Sequence, residues 1–230
     1  MLKILNKVKK IIGTIVFGLH PISILNAFMD IKYSLKFNAI PNVDKIIWVD
    51  PFEIKLILNN EQNKRKYFGR IMDGDWDLDT RCIIGPKYKS LVMYYVEGRE
   101  WEETPLFDRY KERLIKEKKV LGCKNIEEIK AYYRLNIDTL YFKMKEEGFL
   151  PPSKENANIN PIYIYIGRDG EIIYSDNGNH RLSFAKILGL NKIPVKVRAR
   201  HKRWQIIREE FSKKRNTNLS AHPDMQDLIK

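Results

Sequence analysis

The chain has 230 residues, long enough for one domain with an appended subdomain, and its 43% hydrophobic content excludes wholesale disorder. The net charge of +13 points to an anionic partner: nucleic acid, an acidic membrane surface or a phosphorylated substrate. Two cysteines, Cys82 and Cys123, are too few for a disulfide framework, and His20, His180, His201 and His222 lack zinc-ligand spacing, so reduced thiols and no structural metal are expected.

Residues 2–19 place Leu5, Val8, Ile12, Ile15 and Leu19 on one helical face and Lys3, Lys7 and Lys10 on another. The apolar stretch Ile11 to Leu19 is too short to span a bilayer, which needs about 20 residues. No small-residue cleavage site follows it, which argues against a signal peptide. The segment is expected either to lie on an anionic membrane or to pack on the domain. That implies a cytoplasmic protein, peripheral on the inner face of the membrane in the first case.

Lys45 to Val49 reads as a strand, and Asp50-Pro51 as a helix start with Asp50 at the N-cap and Pro51 at the first helical position. The polar stretch 64–80 holds a dense acidic cluster, Asp73, Asp75, Asp77 and Asp79, with Trp76 inside it. Two aspartates two residues apart can share a magnesium ion with phosphate oxygens, or one can act as a base. Asp75 and Asp77 are therefore the candidate catalytic carboxylates, Asp75 also a candidate metal ligand, and Trp76 a candidate stacking platform. An acidic surface turn accounts for the same residues. Ser90 to Val96 is predicted to be a strand, Leu106 to Glu117 a charged helix, and Ile126 to Glu147 a longer helix capped by Asn125 and Glu128 and stopped by Gly148. A patternless connector, 151–161, follows.

Ile162 to Ile166, then Gly167-Arg168-Asp169-Gly170, then Glu171 to Tyr174, is predicted to be a hairpin. It leads into Asp176-Asn177-Gly178-Asn179-His180-Arg181 and a short helix ending at Leu188-Gly189, before a strand at Ile193 to Arg198. A glycine lets the backbone approach a ligand closely, and the free N–H groups at a helix start favour an anion. His180 and Arg181 add polar or charged donors, making a phosphate cradle; a capped surface turn is the plainer account. Asp176 is a candidate metal ligand or the N-cap. His201, with Arg198 and Arg200, either contacts phosphates or belongs to a solvated basic edge strand. A basic helix is expected from His201 to about Lys214. A loosely ordered polar tail should follow, within which His222 to Asp227 is compact enough to fold back.

The order of strand, D-x-G-x-H-R, helix ending in L-G, and I-P-V strand resembles the nucleotide-binding core of the ParB/sulfiredoxin superfamily over about Tyr163 to Arg200. The resemblance implies an α+β fold, a mixed sheet with helices, in which Gly178, Asn179, His180 and Arg181 form the phosphate-binding loop with Asp176 just before it. Asn179 stands where sulfiredoxins carry their catalytic cysteine, so sulfinic-acid reduction is not expected. About thirty residues follow Arg200, too few for the helix-turn-helix module of the chromosome-partitioning branch. The His-Arg pair is more similar to the free-serine kinase branch. It implies a nucleotide-dependent kinase that uses ATP or ADP with magnesium and phosphorylates a hydroxyl of a sugar, a lipid-linked intermediate or an amino-acid-like acceptor. A ParB-like nucleic-acid-binding or nucleotide-sensing protein is the alternative. The expected organisation is an amphipathic segment (1–40), a core (41–210) with a helical insert at about 105–150, and a polar tail (211–230).

Overall fold

Ile193–His201 is the longest strand, and eight of its nine residues are buried, so both its faces and both its edges must be covered. The computed structural model describes residues 31–33, 35–40, 45–59, 70–149, 161–214 and 219–229. The amphipathic segment 2–19 and the connector 151–160 lie outside them. The sheet contains β1 (Ile46–Val49), β2 (Leu56–Leu58), β3 (Arg70–Met72), β4 (Thr80–Cys82), β5 (Ile162–Ile166), β6 (Ile172–Asp176) and β7 (Ile193–His201). Its order is β1-β7-β5-β6-β2-β4, with β3 also paired to β7. β5 and β6 are antiparallel, as the hairpin reading requires, whereas β5–β7, β2–β6 and β3–β7 are parallel, so the sheet is mixed and the class α+β.

Side-chain alternation divides the core. Ile162, Ile164 and Ile166 face the large cluster, while Tyr165, Ile173 and Ala199 face the small one with Leu58. Ile164 pairs with Val197 but Tyr165 with Ala199, so Arg198 is an extra residue that switches the facing of β7. Its guanidinium lies 4.7 Å from the Tyr163 ring centroid. β7 is thus no solvated edge, and Arg198, Arg200 and His201 are all buried.

Beyond the helical residues 31–33, the described helices are α1 (Pro86–Tyr95), α2 (Pro105–Glu117), α3 (Ile126–Tyr132), α4 (Thr139–Glu147), α5 (Asn179–Ile187) and α6 (Lys202–Lys214). α1 replaces the strand expected at Ser90 to Val96. Pro86 opens it at the first helical position after Gly85, and Leu91, Tyr94 and Tyr95, at helical spacing, pack inward toward Trp101. The Ser90 hydroxyl donates to the Pro86 carbonyl at 2.8 Å and accepts from the Leu106 amide at 3.0 Å, tying α1 to the start of α2. Packing against α2 and Trp101 overrides the strand propensity of Val, Met and Tyr.

Asn125 caps α3 by accepting from the Glu128 amide at 2.8 Å, and Gly148 ends α4, both as expected. Between α3 and α4 the backbone forms a π-helical turn, Tyr133–Asp138. The start at Asp50-Pro51 closes after one 3-10 turn, with the Asp50 carboxylate accepting from the Phe52 amide at 2.8 Å. Among the described residues no helix is long and apolar enough to cross a membrane.

The described residues 219–229 are better packed than their composition suggests. Residues 219–229 return across α6 and the β5–β6 turn, burying Asp224 and Met225. His222 lies 4.5 Å from the Trp204 ring, and its Nε2–H donates to the Gly170 carbonyl at 2.9 Å. Gly170 has φ +95°, and a Cβ there would sit 2.6 Å from the Trp204 ring. Gly170→Ala therefore combines left-handed strain with overpacking of a buried indole. It should cost about 2–4 kcal/mol in urea unfolding; a loss below about 0.5 kcal/mol would show that the turn relaxes freely.

Candidate functional site

β6 delivers the chain into two successive left-handed residues, Asn177 at φ 59° and Gly178 at φ 72°, and α5 starts immediately after them. The Tyr174 hydroxyl donates to the Asn177 carbonyl at 3.2 Å and holds the bend. Gly178 is the N-cap and brings no side-chain acceptor, so the first amides of α5 keep their positive end for an incoming group. A Cβ on Gly178 would lie 2.7 Å from Arg181 Nη2 and 2.9 Å from Ile162 Cγ1. The glycine is what lets the Arg181 guanidinium fold flush against the backbone. Burial pushes the Arg181 pKa down, which disfavours charge there unless an anion compensates it.

Two further groups stand near it, Lys87 from α1 and His180 from the first turn of α5 itself. Lys87, in the first turn of α1, is held below the ordinary lysine range by burial and by the neighbouring charge of Arg109. Among the described residues Lys87 has no hydrogen-bond or ion-pair partner. His180 is depressed to about 3, first by burial and then by Lys87, so its imidazole is neutral near pH 7. Its Nε2 lies 3.5 Å from the Tyr133 hydroxyl, which in turn lies 2.8 Å from the Tyr110 hydroxyl. The first turn of α5 thus carries Arg181 against Gly178 and a neutral His180 within electrostatic reach of Lys87. Such groups are chemically suited to a polyanion rather than to a cation.

The other sequence-nominated residues lie elsewhere. Gly178 touches Ile162 at the start of β5, whereas Asp75, Asp77 and His201 gather around Arg168, just past the end of that strand. Six residues of extended chain separate the two places by roughly 20 Å. Asp77 accepts from the Arg168 amide at 2.7 Å and from its guanidinium at 2.7 to 3.1 Å. Burial pushes the Asp77 carboxyl up, but the bonds from Arg168 more than offset this and hold it below the usual range. Asp75 accepts from the same guanidinium at 2.8 Å from an exposed position. His201 Nε2–H donates to the Gly74 carbonyl at 2.8 Å, and its Nδ1 accepts from the Arg203 amide at 3.0 Å. Trp76 packs edge-on to Tyr165 at 5.6 Å and at 6.0 Å from His201. These groups fasten the 73–79 loop to the β5–β6 turn and the end of β7.

Asp176 ends β6 beside the loop, and its side chain lies outside the described residues. Among the described residues no group of three His, Cys, Asp or Glu side chains can hold a metal ion. The described cations beside the α5 start, Lys87 and Arg181, offer no ligand to a divalent ion. Lys87, Arg109 and Tyr133 were not legible as site residues. Lys87 precedes what reads as a strand, and Tyr133 reads only as one apolar position on a helical face.

No protein-family model, curated protein or solved structure matches this chain.

Proposed function

We propose that this chain is a nucleotide-dependent kinase. The start of α5 would bind the phosphates of ATP or ADP, and one would pass to a hydroxyl of a small or membrane-presented acceptor. The observation that carries the binding half is Lys87, a partly buried cation among other cations and without a described counter-ion. Leaving a desolvated ammonium unmatched is costly. A polyphosphate removes the cost by accepting from Lys87, Arg181 and the first amides of α5 together. The resemblance of Asp176 to Arg181 to the ParB/sulfiredoxin loop, on this reading, supports the transfer half. Phosphoryl transfer needs chiefly phosphate neutralisation and positioning, and the α5 amides with Lys87 and Arg181 would supply them. Magnesium would arrive on the nucleotide's own oxygens rather than on a protein-held site. No step falls to Asp75 or Asp77, which are remote and committed to Arg168.

Calorimetric titration with ATP, ADP, CTP and inorganic triphosphate, each with magnesium, tests the binding half. Saturable heat should appear for at least one of them. Lys87→Ala and Arg181→Ala should each weaken it by about 10-fold or more, as expected for loss of a charge-assisted contact. Asp75→Ala should leave it unchanged. Phosphorus NMR with a panel of hydroxylated acceptors then tests transfer. No heat with any of the four, or salt-sensitive duplex DNA binding that survives both substitutions, defeats the proposal.

A further inference from the structure

A second cleft opens on the outer side of the helical layer. It is built from the C-terminal end of α1, the loop after it, the end of the π-helical turn and α4, and it encloses about 420 Å³. That volume falls within the roughly 300–1,000 Å³ of small-molecule sites. Its apolar walls are aromatic. Tyr141 stacks on Tyr95 at 4.1 Å, Tyr94 stacks on Trp101 at 4.0 Å, and the Phe142 ring is 53% exposed. The first two rings are fixed by their neighbours, while Phe142, in T-shaped contact with Tyr141 at 5.5 Å, leaves about half of its surface open to the cleft side.

The polar lining has an unusual balance for a chain of net charge +13. Arg99 and Lys145 face it, and so do Glu100 and Asp138. Asp138 occupies the last position of the π-helical turn, where the extra backbone residue redirects a side chain that a continuous α-helix would place elsewhere. Its Oδ1 accepts from the Tyr95 hydroxyl at 2.5 Å, which aims the carboxylate and leaves its second oxygen as an acceptor. Burial pushes the Asp138 carboxyl up, and the Tyr95 hydrogen bond and nearby Arg134 act in the other direction.

Ligand class follows from these groups. An anion meets Asp138 and Glu100, and a simple cation meets Arg99 and Lys145, so neither is favoured. A hydroxyl both donates and accepts, and so uses carboxylate and cation together. A ring with one apolar C–H face and a rim of hydroxyls matches an exposed aromatic face beside such a rim. The geometry points to a binding site for a neutral sugar, a pyranose or a short glycan, with its apolar face on Phe142 and vicinal hydroxyls on Asp138 and Arg99. The inference stands on this cleft alone and holds whether or not α5 binds nucleotide.

The test is a titration of isotope-labelled full-length protein, followed by amide chemical shifts. The probes are glucose, galactose, mannose, N-acetylglucosamine and their short oligomers, with alanine zwitterion and tetramethylammonium as comparators. At least one sugar should give saturable shifts confined to residues 94–100 and 138–145. Phe142→Ala and Asp138→Asn should each weaken it by about 10-fold or more. Both substitutions leave the fold intact, because Phe142 is exposed and asparagine still accepts from Tyr95. Overturning results are saturation by a comparator but by no sugar, sugar shifts unaltered in Phe142→Ala, and no saturable shift with any probe.

Discussion

Asp224→Ala is expected to remove about 3–5 kcal/mol of unfolding free energy, a large share of the 5–15 kcal/mol typical of a domain. Asp224 is 1% exposed and accepts from Arg200 Nε at 2.9 Å and Nη2 at 2.5 Å, and from Trp204 Nε1 at 2.9 Å. Arg208 Nη1 stands 3.4 Å from the same carboxylate, and Arg208 is itself fully buried. Alanine leaves two desolvated guanidinium groups and an indole N–H without their shared acceptor, and Asp227, 2.9 Å from Arg208, serves only one of them. By contrast, Asp75→Ala, at an 80% exposed side chain, should cost under about 1 kcal/mol.

Burial pushes the Asp224 carboxyl up, but the charge and hydrogen bonds of Arg200, followed by Arg208, more than offset this and hold it at about 2. A depressed folded pKa stabilises above the unfolded value of 3.8, and that stability is lost as pH falls through about 2. Urea unfolding at neutral pH checks the substitution. A loss under about 1 kcal/mol would mean that 219–229 contributes little to the global fold.

Which of these features the sequence announces depends on whether the information is local. The β5–β6 hairpin, α5 and β7 are legible because alternation and glycine punctuation lie within each segment. The helical insert is legible too, from the cap at Asn125 and the stop at Gly148. α1 is not, because Leu91-Val92-Met93-Tyr94-Tyr95 favours a strand locally and only Trp101 and α2 make it a helix. The π-helical turn leaves no trace in an apolar period that tolerates three- and four-residue steps. The acidic cluster is visible, but its partner Arg168 stands 91 residues from Asp77, and no spacing rule reaches that far. A run containing Arg198, Arg200 and His201 reads as an exposed edge until β1 and β3 are found beside it. The polar tail conceals Asp224 in the same way, since a charged residue is expected outside unless its partner is already known.

The second large effect concerns His180. Its folded pKa of about 3 lies below the ordinary value of 6.5, so between these limits the unfolded chain binds a proton that the folded chain refuses. Stability should therefore fall as pH drops below about 6.5, by up to about 1.4 kcal/mol per pH unit from this ring, and be indifferent to it above. By pH 4 the loss amounts to about 2–4 kcal/mol. His222 is also depressed, chiefly by burial, and adds a slope of the same sign. Asp77 and Asp224 titrate lower, whereas the raised Asp138 carboxyl opposes the histidine slope above the usual carboxylate range, which is why the comparison with a His180 variant is needed.

His180→Gln removes one titration and keeps a neutral amide, so the wild-type and variant curves of unfolding free energy against pH should converge or cross as pH falls from 7 to 4. Parallel curves would refute the assignment. The same ring links stability to the proposed ligand. A bound polyphosphate offsets the Lys87 charge that helps to hold His180 down, so binding should draw a proton onto the imidazole. Triphosphate itself takes up protons between pH 7 and pH 5, so the expected result is a difference: affinity should fall less over that range in the wild type than in His180→Gln. A structural histidine remote from the anion could not produce that difference.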